Sequence, residues 1–202
     1  MENIKTVVSL ALTLTLIATV LSAAFLGTES HNEIPDYTQL WILGNDEKAT
    51  DYPYNLNATN DFSCLFLVGV RNRSGHDADF LLRAKLANQT DVLPNRANST
   101  TNNIASVYEF EFSLVNNESL ETRVDVQIPE HAFFTIEEDT LNLTAIAING
   151  KLISGLDIVL TRSITAHGYP FLIFFELWIY DTTLQKFSYE KRFVSLWLNF
   201  QT

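Results

Sequence analysis

Between Lys5 and Glu29 the chain carries no charged side chain, and Thr6 to Leu26 is an unbroken run of 21 uncharged residues, free of Pro and Gly. A helix rising ~1.5 Å per residue over that run would span ~30 Å, the hydrocarbon thickness of a bilayer. In lipid an isolated span must satisfy its own backbone hydrogen bonds, so a helix is the form it can take. The few Ser and Thr hydroxyls can bond back to carbonyls one turn earlier. A cleavable signal peptide is a second reading, with Ser22-Ala23-Ala24 as the small-residue site. Its apolar stretch would be only about 7–15 residues, however, and here the run continues through Phe25 and Leu26. A buried helix of a soluble fold is the third reading. Lys5 precedes the run, and Glu29, Glu33 and Asp36 follow it. The positive-inside rule then sets residues 1–5 in the cytoplasm, 6–26 in membrane lipid, and the remainder outside.

Beyond a short polar linker at 27–35, the dominant period of residues 36–202 is two rather than 3.6. Strands are expected at Tyr37–Leu43, Phe62–Arg71, Phe80–Leu86, Ser106–Val115, Thr122–Ile128, Leu143–Ile148, Leu156–Leu160, Ile173–Tyr180 and Arg192–Phe200. They are rich in β-branched and aromatic residues and bounded by Asn, Asp, Gly and Pro. Tyr108, Phe110 and Phe112 alternate with Glu109 and Glu111, and residues 122–128 alternate in the same way. One inward face and one wet face is the pattern of packed antiparallel sheets. Asn149-Gly150 reads as a type I′ hairpin turn, whose two central residues need positive φ. Pro129 to Asp139 could hold one short helical turn, and Asp181 to Lys191 a loop. The expected fold is all-β: an immunoglobulin-like antiparallel β-sandwich preceded by one N-terminal transmembrane helix. The Cys…Trp…Cys core of such domains is absent, so Trp41, Trp178, Trp197 and the Phe set are expected to fill it.

Composition removes several functions. Lys and Arg number 13 against 24 Asp and Glu, a net charge of −11. Phosphate neutralisation needs clustered cations, so no nucleic acid is expected as a partner. A single cysteine, Cys64, forbids an intrachain disulfide, and it lies in an apolar run that reads as a buried inert thiol. No Gly-rich phosphate loop, His-Glu-x-x-His or Gly-x-Ser-x-Gly occurs. No catalytic, cofactor or metal residue is therefore assigned, and no enzyme is expected. His31, His76, His131 and His167 are widely spaced and read as surface or loop residues. Asp77 with Asp79, and Glu137-Glu138-Asp139, could join a calcium site, but neither has the spacing of a known loop. Both read first as solvated acidic faces.

Six Asn-x-Ser/Thr triplets begin at Asn57, Asn72, Asn88, Asn98, Asn117 and Asn142, all beyond the apolar run. With 17 Asn and 33 Ser or Thr in 202 residues, chance gives about three such triplets. Each is a candidate N-glycosylation acceptor. Asn88, Asn98 and Asn117 have the most loop-like surroundings, whereas Asn142 opens an apolar alternation. Gly44 is expected at a turn using positive φ, Tyr52-Pro53 in extended chain, and Gly69 at a bulge or a close backbone approach.

Tyr37-Thr38-Gln39-Leu40-Trp41-Ile42-Leu43-Gly44, Lys48-Ala49-Thr50-Asp51-Tyr52-Pro53 and Val68-Gly69-Val70-Arg71-Asn72 form an opening set. Phe175 to Tyr180 and Arg192 to Asn199 form a closing pair. Together they resemble an archaeal membrane-protein family known as domain of unknown function number 1616. The resemblance brackets the exterior domain and is weak between about 90 and 170. It implies an archaeal surface protein with an extracytoplasmic β-sandwich, and it implies no activity. A common form of that family has several N-terminal spans, where this chain has one. The expected function is a membrane-anchored, N-glycosylated cell-surface protein with a structural, adhesive or protein-interaction role at the envelope. The second expectation is a small-ligand or glycan-binding module serving a membrane complex. The third is a hydrolase whose carboxylates meet only in space.

Overall fold

The computed structural model describes residues 37–94 and 103–201. The expected N-terminus 1–5, anchor 6–26, linker 27–35 and acceptor Asn98 lie outside the described residues. Eleven strands are described: β1 Gln39–Leu43, β2 Asn55–Leu56, β3 Ser63–Arg71, β4 Ala78–Ala87, β5 Tyr108–Leu114, β6 Ser119–Gln127, β7 Phe133–Glu137, β8 Thr140–Ile148, β9 Lys151–Thr161, β10 Tyr169–Asp181 and β11 Lys186–Phe200. A single 3-10 turn at Ala58–Asn60 is the one helical element among the described residues. None of these residues forms a helix long and apolar enough to cross a membrane.

The strands build two sheets. One runs β1-β3-β6-β8-β9, with β7 continuing the line of β6 along the first half of β8. The other runs β2-β11-β10-β4-β5. All pairs are antiparallel except the two-residue pairing of β2 with β11. The chain changes sheet after β1, β2, β3, β5 and β9. Inward rows follow the period of two: Cys64, Phe66, Val68 and Val70 on β3, Val124 and Val126 on β6, and Phe171, Ile173, Phe175 and Leu177 on β10 are all buried in one core. Phe66 meets Phe175 from the opposite sheet edge-to-face at 6.0 Å, and Phe133 meets Phe200 at 4.6 Å. These offset geometries suit the aromatic quadrupole.

Several expectations need correction. None of the three tryptophans is in the core, which is filled by Phe, Leu, Ile and Val. Trp41 lies on the outer face across Gly69, where an added Cβ would stand within the indole. Gly69 is thus a close approach and not a bulge; it pairs in register with Trp41 on one side and Glu121 on the other. Gly44 does not use positive φ as expected; it is required for space, since a Cβ there would meet the Thr50 carbonyl oxygen at 2.6 Å. Residues 133–137 form β7, paired with β8, where a helical turn was expected. The loop expected at 181–191 is a short turn, because β10 and β11 continue pairing down to Asp181 and Lys186. Asn149 and Gly150 both have positive φ, 51° and 75°, as the I′ turn requires.

Candidate functional site

β1 is an edge of the larger sheet, and it runs beside β11 of the smaller one. Two features open this seam. The pairing of β11 with β10 slips between Leu177 and Trp178, leaving Glu190 and Lys191 as extra residues, with Lys191 at φ 59°. A bulge of this kind turns the strand locally. Further on, β2 covers β11 only at Asn199 and Phe200. Among the described residues, Val194 to Leu198 pair with β10 alone, so one backbone edge of this stretch has no partner strand. Unpaired edges of this sort are templates for a further strand.

Beside that edge lies a cleft of about 580 Å³ lined by Ile42, Tyr52, Tyr54 and residues 193–197. Tyr52, Tyr54 and Trp197 are 38%, 42% and 42% exposed. Tyr52 is held by its hydroxyl, which donates to the Ile42 carbonyl at 3.1 Å. Tyr54 is held through its backbone, its carbonyl accepting from the Asn199 N–H at 2.6 Å. Trp197 and Ser195 are exposed on β11, whereas Leu198 is fully buried. Sequence reasoning missed Trp197 as a surface residue. Residues 193–198 are apolar on both faces apart from Ser195, so the alternation does not reveal which row is wet. Ser195 was the available signal.

The acceptor asparagines fall into distinct settings. Asn117 is exposed at φ 70°, and Asn88 is partly exposed. Asn57 caps the 3-10 turn, with its side-chain oxygen accepting from the Thr59 N–H at 3.0 Å. Asn72 is fully buried, its amide nitrogen donating to the His76 carbonyl at 2.8 Å and the Leu114 carbonyl at 3.0 Å. Asn142 is buried in β8 and donates to Asp157 at 2.8 Å. At Asn57, Asn72 and Asn88 the side-chain oxygen accepts from the N–H two residues on. This Asx turn gives the triplets a local conformational use of their own.

The other singled-out groups are committed to internal bonds. Asp79 accepts from the Ser113 hydroxyl at 2.5 Å, and Asp77 accepts from the Asn116 N–H at 2.9 Å. They line a hollow of about 410 Å³ with His76, Glu118 and Tyr180. Among the described residues no three His, Cys, Asp or Glu side chains gather as a metal ion would require. His76, His131 and His167 are exposed, and His31 lies outside the described residues. Cys64 is buried, and desolvation, aided by the negative charge of Asp125, pushes its thiol up to about 12. That keeps it protonated and unreactive. The chain matches no protein-family model and no curated protein.

Proposed function

We propose that this is a membrane-anchored surface protein whose exterior β-domain binds a protein partner at the cell envelope by strand addition along β11. The anchor is residues 6–26, with the N-terminus in the cytoplasm, and the domain is an immunoglobulin-like sandwich. The resemblance of the opening and closing blocks points to an archaeal envelope. One observation carries the interaction role: a backbone edge at Val194–Leu198 without a partner strand among the described residues, flanked by the exposed rings of Tyr52, Tyr54 and Trp197. Added strands gain main-chain hydrogen bonds, and flanking pockets supply specificity. Aromatic side chains dominate the energetic centres of such interfaces.

A second reading draws on the same cleft. Flat Tyr and Trp faces around a concave hollow with the Ser195 hydroxyl suit a sugar ring, as in a glycan-binding module. Both readings belong to a glycosylated protein facing outward, with Asn88, Asn98 and Asn117 as the favoured acceptors.

One experiment separates them. A photo-cross-linking residue replaces Ser195 in the full chain, and intact cells are irradiated. Strand addition yields a discrete protein adduct that disappears in the Trp197→Ala background. Glycan binding yields no protein adduct, while envelope polysaccharide retains the protein in a Trp197-dependent manner. Protease shaving of the same cells releases peptides from 27–202; if none is released from intact cells, the outward topology is wrong.

A further inference from the structure

Along the same seam, on the other side of Ile42, lies a second hollow of about 580 Å³. It is lined by Tyr37, Thr38, Gln39, Leu40, Trp41, Arg71, Ser119 and Arg192. Its charge runs against the molecule. The chain carries −11 overall, yet three of its arginines gather here. Arg71 ends β3, and Arg73 follows two residues later, on the same face by the period of two. Arg192 comes from β11 immediately after the bulge. The guanidinium carbons of Arg73 and Arg192 stand 5.8 and 5.9 Å from the centre of the Tyr37 ring.

Internal bonds hold this arrangement: Glu190 answers Arg192 through Thr38, whereas no carboxylate stands within ion-pair distance of Arg71 among the described residues. The Tyr37 N–H donates to the Arg73 carbonyl at 2.8 Å, and Arg73 Nη1 donates to the Tyr37 hydroxyl at 3.2 Å. Arg192 Nε donates to the fully buried Thr38 hydroxyl at 3.0 Å, which in turn donates to Glu190 at 3.0 Å. Glu121 accepts from the Trp41 indole at 3.2 Å. Among the described residues Lys48, Arg83 and Lys85 make ion pairs, whereas Arg71, Arg73 and Arg192 make none. The Nε atoms of Arg71 and Arg73 are moreover buried without an acceptor. Buried donors normally find partners, and leaving one without is costly. That penalty falls when an oxyanion enters, because the planar fork of arginine matches such groups with two parallel hydrogen bonds.

We propose that this hollow binds a tetrahedral oxyanion, a phosphate or sulfate group, with Arg71 and Arg192 as its charged donors and the Ser119 hydroxyl as a neutral one. Arg73 holds Tyr37 as one wall of the hollow. The site is independent of strand addition at β11, since it uses side chains of β1, β3 and β6 and only Arg192 of β11. A free phosphoester and a phospholipid headgroup present the same chemistry, and the chain's own anchor makes the second available.

The test uses the full-length chain in non-ionic detergent. Inorganic phosphate and sulfate are titrated against chloride at matched ionic strength, and the thermal midpoint is followed, since a ligand of the folded state raises it. A midpoint rise with phosphate or sulfate that weakens at least tenfold in apparent affinity in Arg71→Gln, and is kept in Arg162→Gln, supports a soluble oxyanion. In a parallel arm, native mass spectrometry of the chain extracted from phosphatidylglycerol vesicles counts retained lipid. Retention lost in Arg71→Gln supports a headgroup. The Arg71 side chain makes no internal hydrogen bond among the described residues, and the backbone pairing of β3 survives its replacement, so Arg71→Gln leaves the fold intact; Arg71→Lys, which keeps charge but not the fork, binds at an intermediate level. Equal responses of wild type and Arg71→Gln in both arms, or no response above chloride together with no retained lipid, overturns the proposal.

Discussion

Gly69 and Trp41 illustrate how a residue's role depends on its partner across the sheet. A glycine in a strand interior weakens it, yet here it makes room for an indole to cross β3 and reach Glu121. The sequence marks Gly69 as unusual but holds no local sign that Trp41 lies above it, because the pairing joins residues far apart in the chain. Gly69→Ala sets a methyl inside the ring and is expected to cost about 1–3 kcal/mol, the usual range for overpacking. Chemical denaturation measures the loss, and a red-shifted tryptophan emission reports the displaced indole; an unchanged midpoint and spectrum would contradict the packing. Cys64 was legible in full, since a lone thiol in an apolar run has few other uses. With its pKa raised to about 12 from 9.0, the folded state holds the proton after the unfolded chain has lost it. Its contribution to stability is therefore complete below pH 9 and falls as pH rises towards 12, by at most ~1.4 kcal/mol per pH unit. At pH 8, iodoacetamide should label Cys64 only after unfolding. Rapid labelling of the native protein would show an accessible thiolate.

The elements were legible where one face is wet and the other dry. β5 and β6 alternate polar and apolar residues and fall within a few residues of their expected bounds. β10 was read without Tyr169–Leu172 and β11 without Lys186–Lys191, where Lys, Ser and Glu among the aromatics look like loop until the strands pair. β7 was missed because it is exposed beyond Phe133 and anchored only through β8. The corners between sheets were less legible still. Asn72, read as a glycan acceptor, sits where the chain leaves β3 for the other sheet. Its backbone N–H donates to Glu118, its backbone carbonyl accepts from Asn117, and its side chain binds His76, Leu114 and Ser74. One asparagine thus ties the outgoing corner at 72–77 to the returning corner at 115–118. Asn72→Ala removes those side-chain bonds and leaves buried carbonyls unpaired, an expected loss of about 2–4 kcal/mol at ~1 kcal/mol or somewhat more per bond. Asn72→Asp should recover little, because a carboxylate cannot donate to the two carbonyls. Urea unfolding of both variants measures this, and a loss under half a kilocalorie would remove the corner from the account.

Across the whole domain, the smaller sheet is covered on its inner face and, over part of its extent, on its outer face too. Ala87, Leu172 and Phe174 form a second buried cluster on its outer side, with Leu93 and Ile104 packed against them. On the same face Lys85 and Glu176 pair at 3.0 Å with almost no exposure. Removing one member of a buried ion pair is costly, so Glu176→Ala is expected to destabilise the domain by about 3–5 kcal/mol. A melting temperature within a degree of wild type would mean the pair is not buried in solution. This extra layer was not legible, since an outward-facing Phe174 beside Glu176 reads as ordinary alternation. The glycosylation reading also resolves at this scale. A glycan needs the amide nitrogen of its asparagine free and room outside it. Asn88 and Asn117 meet that condition, whereas Asn72 and Asn142 spend theirs on buried hydrogen bonds. A sugar on either of these would displace a corner or a strand of the core. Glycopeptide mass spectrometry of protein purified from its native membranes is therefore expected to find occupancy at Asn88 and Asn117 and none at Asn72 or Asn142. Sugar on Asn72 in folded protein would show that the corner is built differently. A chain bare at every site would leave the exposed triplets as Asx turns alone and remove the chemical support for an outward-facing domain.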